Sequence, residues 1–344
     1  MKATFFKHTL QFKQASGTSR GVLTLKDTWF IKLENNTLKG IGECGMFKGL
    51  SIDHRDDFEL KLKWTCQNID LGLEVLLGQL VSFPSIQFGL EMAFASLNNK
   101  SPFELFPSEF TKGKDSIPIN GLIWMGESSF MKQQIKDKLE GGFSCIKLKI
   151  GALNFERELA LLKSIRKEYD MQTIEIRIDA NGAFKPNEAL EKLKQLSEYN
   201  LHSIEQPIKQ GQIDDMAQLC LDTPIPIALD EELIGIFSVT NKQFLLQTIK
   251  PQYIILKPTL VGGFKGSQQW IDVAESNKIG WWVTSALESN IGLNAIAQWT
   301  YTLNNTLPQG LGTGGLFTNN VQAPLVVRSG RLFYDLKTKW NLKF

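Results

Sequence analysis

Three histidines and four cysteines in 344 residues leave little material for imidazole or thiolate chemistry. His8, His54 and His202 are scattered and no His-Glu-x-x-His occurs, which argues against a histidine-led hydrolase. Cys44, Cys66, Cys145 and Cys220 form no Cys-x-x-Cys pair. Neither a zinc site nor a disulfide framework is expected; reduced, buried thiols in a cytoplasmic protein are. No apolar run approaches the roughly 20 residues of a membrane-spanning helix, and residues 1–10 lack the charged start and apolar core of a signal peptide. Charge of one sign is missing too. The 38 basic and 36 acidic residues are interspersed and leave a net charge of +2, so there is no electrostatic footprint for nucleic acid or an anionic membrane. A content of 42% hydrophobic and 22% charged residues is ordinary for a soluble globular enzyme.

What is present has two textures. Residues 2–13, 21–34 and 38–43 are rich in Phe, Thr, Val and Leu and are broken by Gly17, Gly21, Asn35 and Asn36, the pattern of antiparallel strands. Helices are expected over 58–77 and, after Pro84, over 85–98, where Leu90, Ala93, Phe94 and Leu97 form a core-facing stripe. Residues 105–116, with Pro107 and Gly113, read as a linker. From Ile117 short apolar runs alternate with amphipathic helical stretches, the rhythm of repeated βα units. The runs fall at 118–122, 145–150, 175–179, 203–205, 226–230, 253–257, 280–285 and 308–312. Eight strands are the count of a (β/α)8 barrel. The expected organisation is an α+β capping domain over 1–110, a barrel over 111–318, and a segment over 319–344 that returns to the capping domain.

Each barrel run carries a polar residue at or near its end: Asn120, Lys149, Asp179, Glu205, Asp230, Lys257, Ser285 and Gly312/Thr313. Neighbours in this series are 25 to 30 residues apart, about one βα unit, which puts them at one level around the C-terminal mouth where barrels place their chemistry. Three carboxylates converging there repel one another unless a positive charge sits between them. All-oxygen ligation without His or Cys points to Mg²⁺, or Mn²⁺, held by Asp179, Glu205 and Asp230. Separate salt bridges with local lysines explain an acid on three consecutive strands less well.

Lys147 and Lys149 alternate with Ile146, Leu148 and Ile150, so both lysines face the barrel interior. Lys257 lies on the opposite side. A lysine beside a second cation and a metal is shifted toward the neutral amine, which makes it a base. A metal on carboxylate oxygens stabilises the enediolate left when the adjacent proton is removed. Metal and lysine together therefore suit proton abstraction beside a carboxylate. Arg177 shares the inward face of Asp179, either to screen the acids or as one half of an interior ion pair.

The segments Lys147-Leu-Lys149, Asp179-Ala-Asn181, Ile204-Glu-Gln-Pro207, Leu229-Asp-Glu231 and Leu256-Lys-Pro258 resemble the enolase superfamily, in the subgroup of muconate lactonizing enzyme. The resemblance covers nearly the whole chain and implies a modified TIM barrel with an α+β cap. It also implies Asp179, Glu205 and Asp230 as ligands of Mg²⁺, Lys149 as acid/base, and Lys257 as the second lysine. Thr18-Ser-Arg20-Gly-Val-Leu23, Gly42-Glu-Cys44, Thr284-Ser-Ala-Leu-Glu-Ser-Asn290 and Gly310-Leu-Gly-Thr-Gly314 look most like the o-succinylbenzoate synthase family of menaquinone biosynthesis. The implied reaction is syn dehydration of 2-succinyl-6-hydroxy-2,4-cyclohexadiene-1-carboxylate. Asn181, Ser285, Ser289, Gly312 and Thr313 are then expected around the substrate. Arg20 is either a clamp on the succinyl carboxylate or an ordinary loop arginine.

Two lysines on opposite faces also suit an N-acylamino acid racemase, and muconate cycloisomerisation uses the same barrel residues. Dipeptide epimerases carry an acidic Asp-x-Asp near strand eight, whereas residues 308–317 hold no acid to meet a substrate ammonium. A non-catalytic metal-dependent binding protein is the reading from another class, and full activity after Lys149→Ala would favour it.

Overall fold

The computed structural model describes residues 1–18, 21–35, 38–97, 99, 101–124, 126–151 and 154–342. The chain opens with three antiparallel strands, β1 (Lys2–Thr18), β2 (Gly21–Asn35) and β3 (Leu38–Cys44), paired in that order. Helices α1 (Phe58–Gln67), α2 (Leu73–Gln79) and α3 (Pro84–Leu97) follow. The single helix expected over 58–77 is two: a short 3-10 turn and Gly72, at φ +81°, separate α1 from α2. Helix α3 lies backbone against backbone on β3. A Cβ on Gly42 would come within 1.8 Å of the Gly89 carbonyl oxygen, so glycine on both elements permits the approach.

Ser116–Pro118 (β4) leads into the parallel sheet formed by β5 (Gly121–Ile123), β6 (Cys145–Lys149), β7 (Glu175–Asp179), β8 (Ser203–Glu205), β9 (Ile227–Leu229), β10 (Tyr253–Leu256) and β11 (Gly280–Val283). The crossover helices are α4 (Ser128–Glu140), α5 (Phe155–Glu168), α6 (Pro186–Ser197), α7 (Ile213–Asp222), α8 (Val239–Ile249), α9 (Pro258–Val261) with α10 (Gly263–Ser276), and α11 (Asn290–Thr302). Strand residues such as Ile146, Ile176, Ile178 and Leu229 are fully buried with the inner faces of these helices in one core. The eighth run closes the barrel through single bridges, Thr284 to Gly310 on one side and Ile119 to Gln309 on the other. It forms no extended strand: the Gly310 α-carbon packs against Thr284, where a Cβ would lie 2.0 Å from the hydroxyl.

A hairpin, β12 (Leu325–Arg328) and β13 (Arg331–Tyr334), pairs with β4. The flanking residues touch the cap: Asn319 bonds the backbone of Thr9 and Gln11, and Trp340 stacks on Phe103. Two carboxylates of the cap seat it on the barrel. Glu91 of α3 accepts from the N–H groups of Phe264 and Lys265 at the start of α10. Glu43 of β3 accepts from those of Ser289 and Gly292 at the start of α11. Each acid satisfies donors that a helix N-terminus leaves open and complements its dipole. Among the described residues no helix is long and apolar enough to cross a membrane.

Candidate active site

The period-2 alternation of β6 sends Lys147 and Lys149 inward while Ile146 and Leu148 are buried outside. Parallel register aligns Lys149 with Asp179 and Asp179 with Glu205, so the three stand at one level on adjacent strands. Asp230 follows the end of β9, and Lys257 follows β10. Asp179, Glu205 and Asp230 are each 1–2% exposed.

Burial of that much charge requires pairing. Lys147 Nζ lies 3.0 Å from Asp179 Oδ2 and donates to Glu205 Oε2. Lys149 Nζ donates to Asp179 Oδ2 at 3.0 Å and to Asn181 Oδ1 at 2.7 Å. Lys257 Nζ donates to Asp230 and stands 4.0 Å from Glu205 Oε1. Asn181, in a left-handed conformation (φ 45°), passes the network on to Glu231 at 3.1 Å. Gln206, also left-handed (φ 42°), ties the ends of β8 and β9 together: its Oε1 accepts from Asp230 N at 3.2 Å, and its Nε2 donates to Glu232 at 3.0 Å.

These contacts set the protonation states. Burial raises the Glu205 carboxyl, and the neighbouring Asp179 and Asp230 push it further, to about 8 against the opposing pull of Lys147 and Lys257. Burial works the same way on Asp179, but Lys147, Lys149 and Lys257 overcome it and hold that group well below the carboxylate range. Burial disfavours charge on Lys147 as well; Asp179, Glu205 and Asp230 reverse it and hold the ammonium firmly protonated. Lys257 is likewise shifted up, where the sequence suggested a shift down, because Asp230 and Glu205 outweigh its burial. The expected downward shift assumed a cation among the acids.

The donor set suits such a cation. It is all carboxylate oxygen, and Glu205 Oε1 is buried without a hydrogen-bond partner. No group of three His, Cys, Asp or Glu side chains among the described residues forms a ready cage, since the carboxylates turn onto Lys147 and Lys257. A hard divalent ion entering here would exchange those contacts for its own.

Above the acids a cavity of about 530 Å³ opens, lined by Lys147, Lys149 and Asn181 on one side and Lys257 and Glu231 on another. Asn120, Ser285, Gly312 and Thr313 also line it, with the Ser285 and Thr313 hydroxyls 2.7 Å apart. Phe47 and Leu50 of the cap, with Trp124 and Leu287, supply apolar wall. Ser289, expected at the substrate, does not line this cavity. It is fully buried one turn away, where its hydroxyl accepts from Ile291 N and donates to Glu43. Arg20 lies outside the described residues. Arg177 does not reach the acids: it pairs with Glu175 at 2.7 Å and lies 4.3 Å over Trp282, lower in the barrel beside His202. Sequence reasoning missed Glu231 as a wall residue, although it stood in the Leu229-Asp-Glu motif, and missed the cap residues Phe47 and Leu50, whose apolar side chains give no local signal.

Residues 131–335 match the family described as Enolase C-terminal domain-like. Over 96% of its length the chain is 45% identical to an o-succinylbenzoate synthase of Desulfotalea psychrophila, covering 98% of that protein. The crystal structure of MenC from Desulfotalea psychrophila LSv54 superposes with a TM-score of 0.87 at 43% identity, covering 97% of this chain and 99% of that one. Muconate lactonizing enzyme from Pseudomonas fluorescens shares the fold, with a TM-score of 0.81 at 21% identity over 99% of this chain and 96% of its own. With cap, barrel and strand-end charges all in register, the chain belongs to the enolase superfamily, within its o-succinylbenzoate synthase family.

Proposed function

We propose that this protein is an o-succinylbenzoate synthase, a lyase of menaquinone biosynthesis that dehydrates 2-succinyl-6-hydroxy-2,4-cyclohexadiene-1-carboxylate with Lys149 as its acid/base. The observation that carries the reading is 45% identity to such a synthase over essentially both full lengths. The site supports it independently, with Lys149, Lys257 and Asp179 on one cavity and the Glu205 and Asp230 carboxylates buried beneath it.

Enzymes of the enolase superfamily are typically Mg²⁺-dependent, and Asp179, Glu205 and Asp230 are the residues that would hold the ion. When bound it supplies positive charge beside the substrate carboxylate, which makes the adjacent C–H more acidic. Lys149 takes the proton from the carbon bearing the ring carboxylate, oriented by its bonds to Asp179 and Asn181. The electron pair of that C–H bond becomes the new ring double bond as the C–O bond to the 6-hydroxyl breaks. Protonated Lys149 returns the proton to the departing hydroxide, so water leaves and the lysine is ready again. One residue serves both steps because proton and hydroxyl depart from the same face, and aromatisation drives the reaction forward. Lys257, on the other face, would set its ammonium where charge builds on the substrate.

Lys257 on that other face also suits 1,1-proton transfer, so racemisation of N-acylamino acids is the second activity to examine. The test is a mass-resolved assay of purified protein with Mg²⁺, offered the cyclohexadiene carboxylate and, separately, N-succinyl amino acids in D₂O. Loss of 18 mass units from the first substrate is the expected result. Absence of that loss together with rapid α-deuteration of the amino acids overturns the reading in favour of a racemase.

A further inference from the structure

Between cap and barrel lies a second buried charge cluster, separate from the strand-end acids. Lys26 on β2 is 7% exposed, and Glu43 on β3 and Glu288 after β11 are fully buried. Glu288 holds the barrel loop: Oε2 accepts from Ala286 N at 2.7 Å and Oε1 accepts from the Thr259 hydroxyl. Glu43 holds the same loop further on, accepting from Ser289 N at 2.9 Å and the Ser289 hydroxyl at 2.5 Å, while Thr28 donates to it from inside the cap at 2.8 Å. Lys26 Nζ donates to Gly45 O at 3.3 Å, at the root of the cap loop. Gly45 fills the space between the partners: a Cβ there would sit 3.3 Å from Glu288 Cγ and 3.6 Å from Lys26 Nζ.

Both loops tied here face the cavity. The cap loop beyond Gly45 carries Phe47 and Leu50, and the barrel loop carries Ser285, Ala286 and Leu287, the last held at φ 60°. We propose that Lys26, Glu43 and Glu288 are positioning residues whose charge balance sets the spacing between these two substrate-facing walls. Lys26 is the buried cation on which the charges of Glu43 and Glu288 both act, across Gly45 and without direct contact. Burial lowers Lys26 and raises Glu288, and each opposes the shift of the other, as expected of groups that stay charged only together. None of the three lines the cavity, so their influence on substrate passes through backbone.

The inference rests on the proposed function for its kinetic readout, and amide hydrogen exchange supplies one that needs no substrate. Lys26→Met leaves two buried carboxylates facing each other. It is expected to raise KM for the cyclohexadiene carboxylate on the order of tenfold with kcat within about twofold, the signature of lost binding rather than lost chemistry. Exchange should accelerate together in residues 45–51 and 284–289. Adding Glu288→Gln removes the surplus charge while keeping the shape. The glutamine oxygen can accept from Ala286 N, and its amide can donate to Thr259 Oγ1, whose proton is free to turn away. The double variant should recover KM to within about threefold of the parent. A folded Lys26→Met protein with unchanged KM, loosening of one segment alone, or a double variant no better than the single one overturns the proposal. Should Lys26→Met not fold, recovery of folded protein in the double variant supports it and continued failure to fold refutes it. Turnover by the parent tests the proposed function separately, so the two can fail independently.

Discussion

Replacing Lys147 with methionine isolates the electrostatic logic of the barrel mouth. Its ammonium bridges Asp179, at 3.0 Å, and Glu205, both almost completely buried. Removing one partner of a buried ion pair typically costs about 3–5 kcal/mol, because the remaining charge is left without compensation. Here two features reduce the loss. Lys149 remains on Asp179, and Glu205, already raised to about 8, can discard its charge by taking up a proton. A carboxyl whose folded value lies above its ordinary 4.5 favours the folded state at low pH and loses that contribution as pH rises through the folded value. Losing Lys147 moves Glu205 further up, so the penalty should grow as pH passes the parent's value: about 1 kcal/mol at pH 6 and about 2 kcal/mol at pH 8.5 in EDTA. Urea unfolding followed by tryptophan fluorescence reads it at both values. Mg²⁺ should then restore more stability to the variant than to the parent, because the ion supplies the missing charge; a ligand at 100 times its Kd contributes about 2.7 kcal/mol. A Lys147→Met protein as stable as the parent at pH 8.5 would refute the idea that this ammonium balances the acids.

Asp230→Asn should weaken Mg²⁺ binding on the order of a hundredfold by calorimetry and abolish dehydration; unchanged affinity would remove Asp230 from the ligand set. Glu91, which burial raises to about 7 despite its bonds to Phe264 and Lys265, makes the seat of the cap on α10 sensitive to pH. Because its folded value lies above the ordinary 4.5, the parent should lose stability relative to Glu91→Gln as pH rises from about 4.5 to 7, by up to about 3 kcal/mol, and the difference should then level. A pH-independent difference in denaturation midpoint would contradict this. Ser289→Ala should cost about 1 kcal/mol of stability by removing the cap on α11, and should leave dehydration active since Ser289 does not line the cavity. Complete loss of turnover in a folded variant would place Ser289 at the substrate instead.

Much of the barrel was legible because its signal is periodic. Alternation along Cys145–Lys149 and the even spacing of Lys149, Asp179, Glu205, Asp230 and Lys257 survive translation into three dimensions, since each βα unit advances one strand at constant height. The eighth run was harder to judge: near Gly310 the packing on Thr284 replaces a ladder by single bridges, and no property of the run itself marks this. The break between α1 and α2 at Gly72 was hidden by apolar residues that keep a helical rhythm on either side. Ser289 was expected at the substrate because the 284–290 segment resembles a substrate-facing family loop, yet it does not line the cavity. The first turn of α11 rotates it away from the cavity and toward Glu43, a partner 246 residues distant. The same distance hid the Lys26, Glu43 and Glu288 cluster, since charges that meet only through tertiary packing leave no spacing to read. Lys257 was expected to be driven toward its neutral form, but without a cation its acidic neighbours decide the sign.

The central claim is that Lys149 moves both the proton and the hydroxyl while Lys257 acts only through its charge. The most direct measurement is the single-turnover dehydration rate of Lys149→Ala and Lys257→Ala, each folded and saturated with Mg²⁺, against the parent. Loss of a general acid/base serving two steps predicts a fall of at least about 10³-fold for Lys149→Ala. Lys257→Ala is predicted to be slower than the parent but to remain measurably active. Parent-like turnover by Lys149→Ala would contradict the account outright.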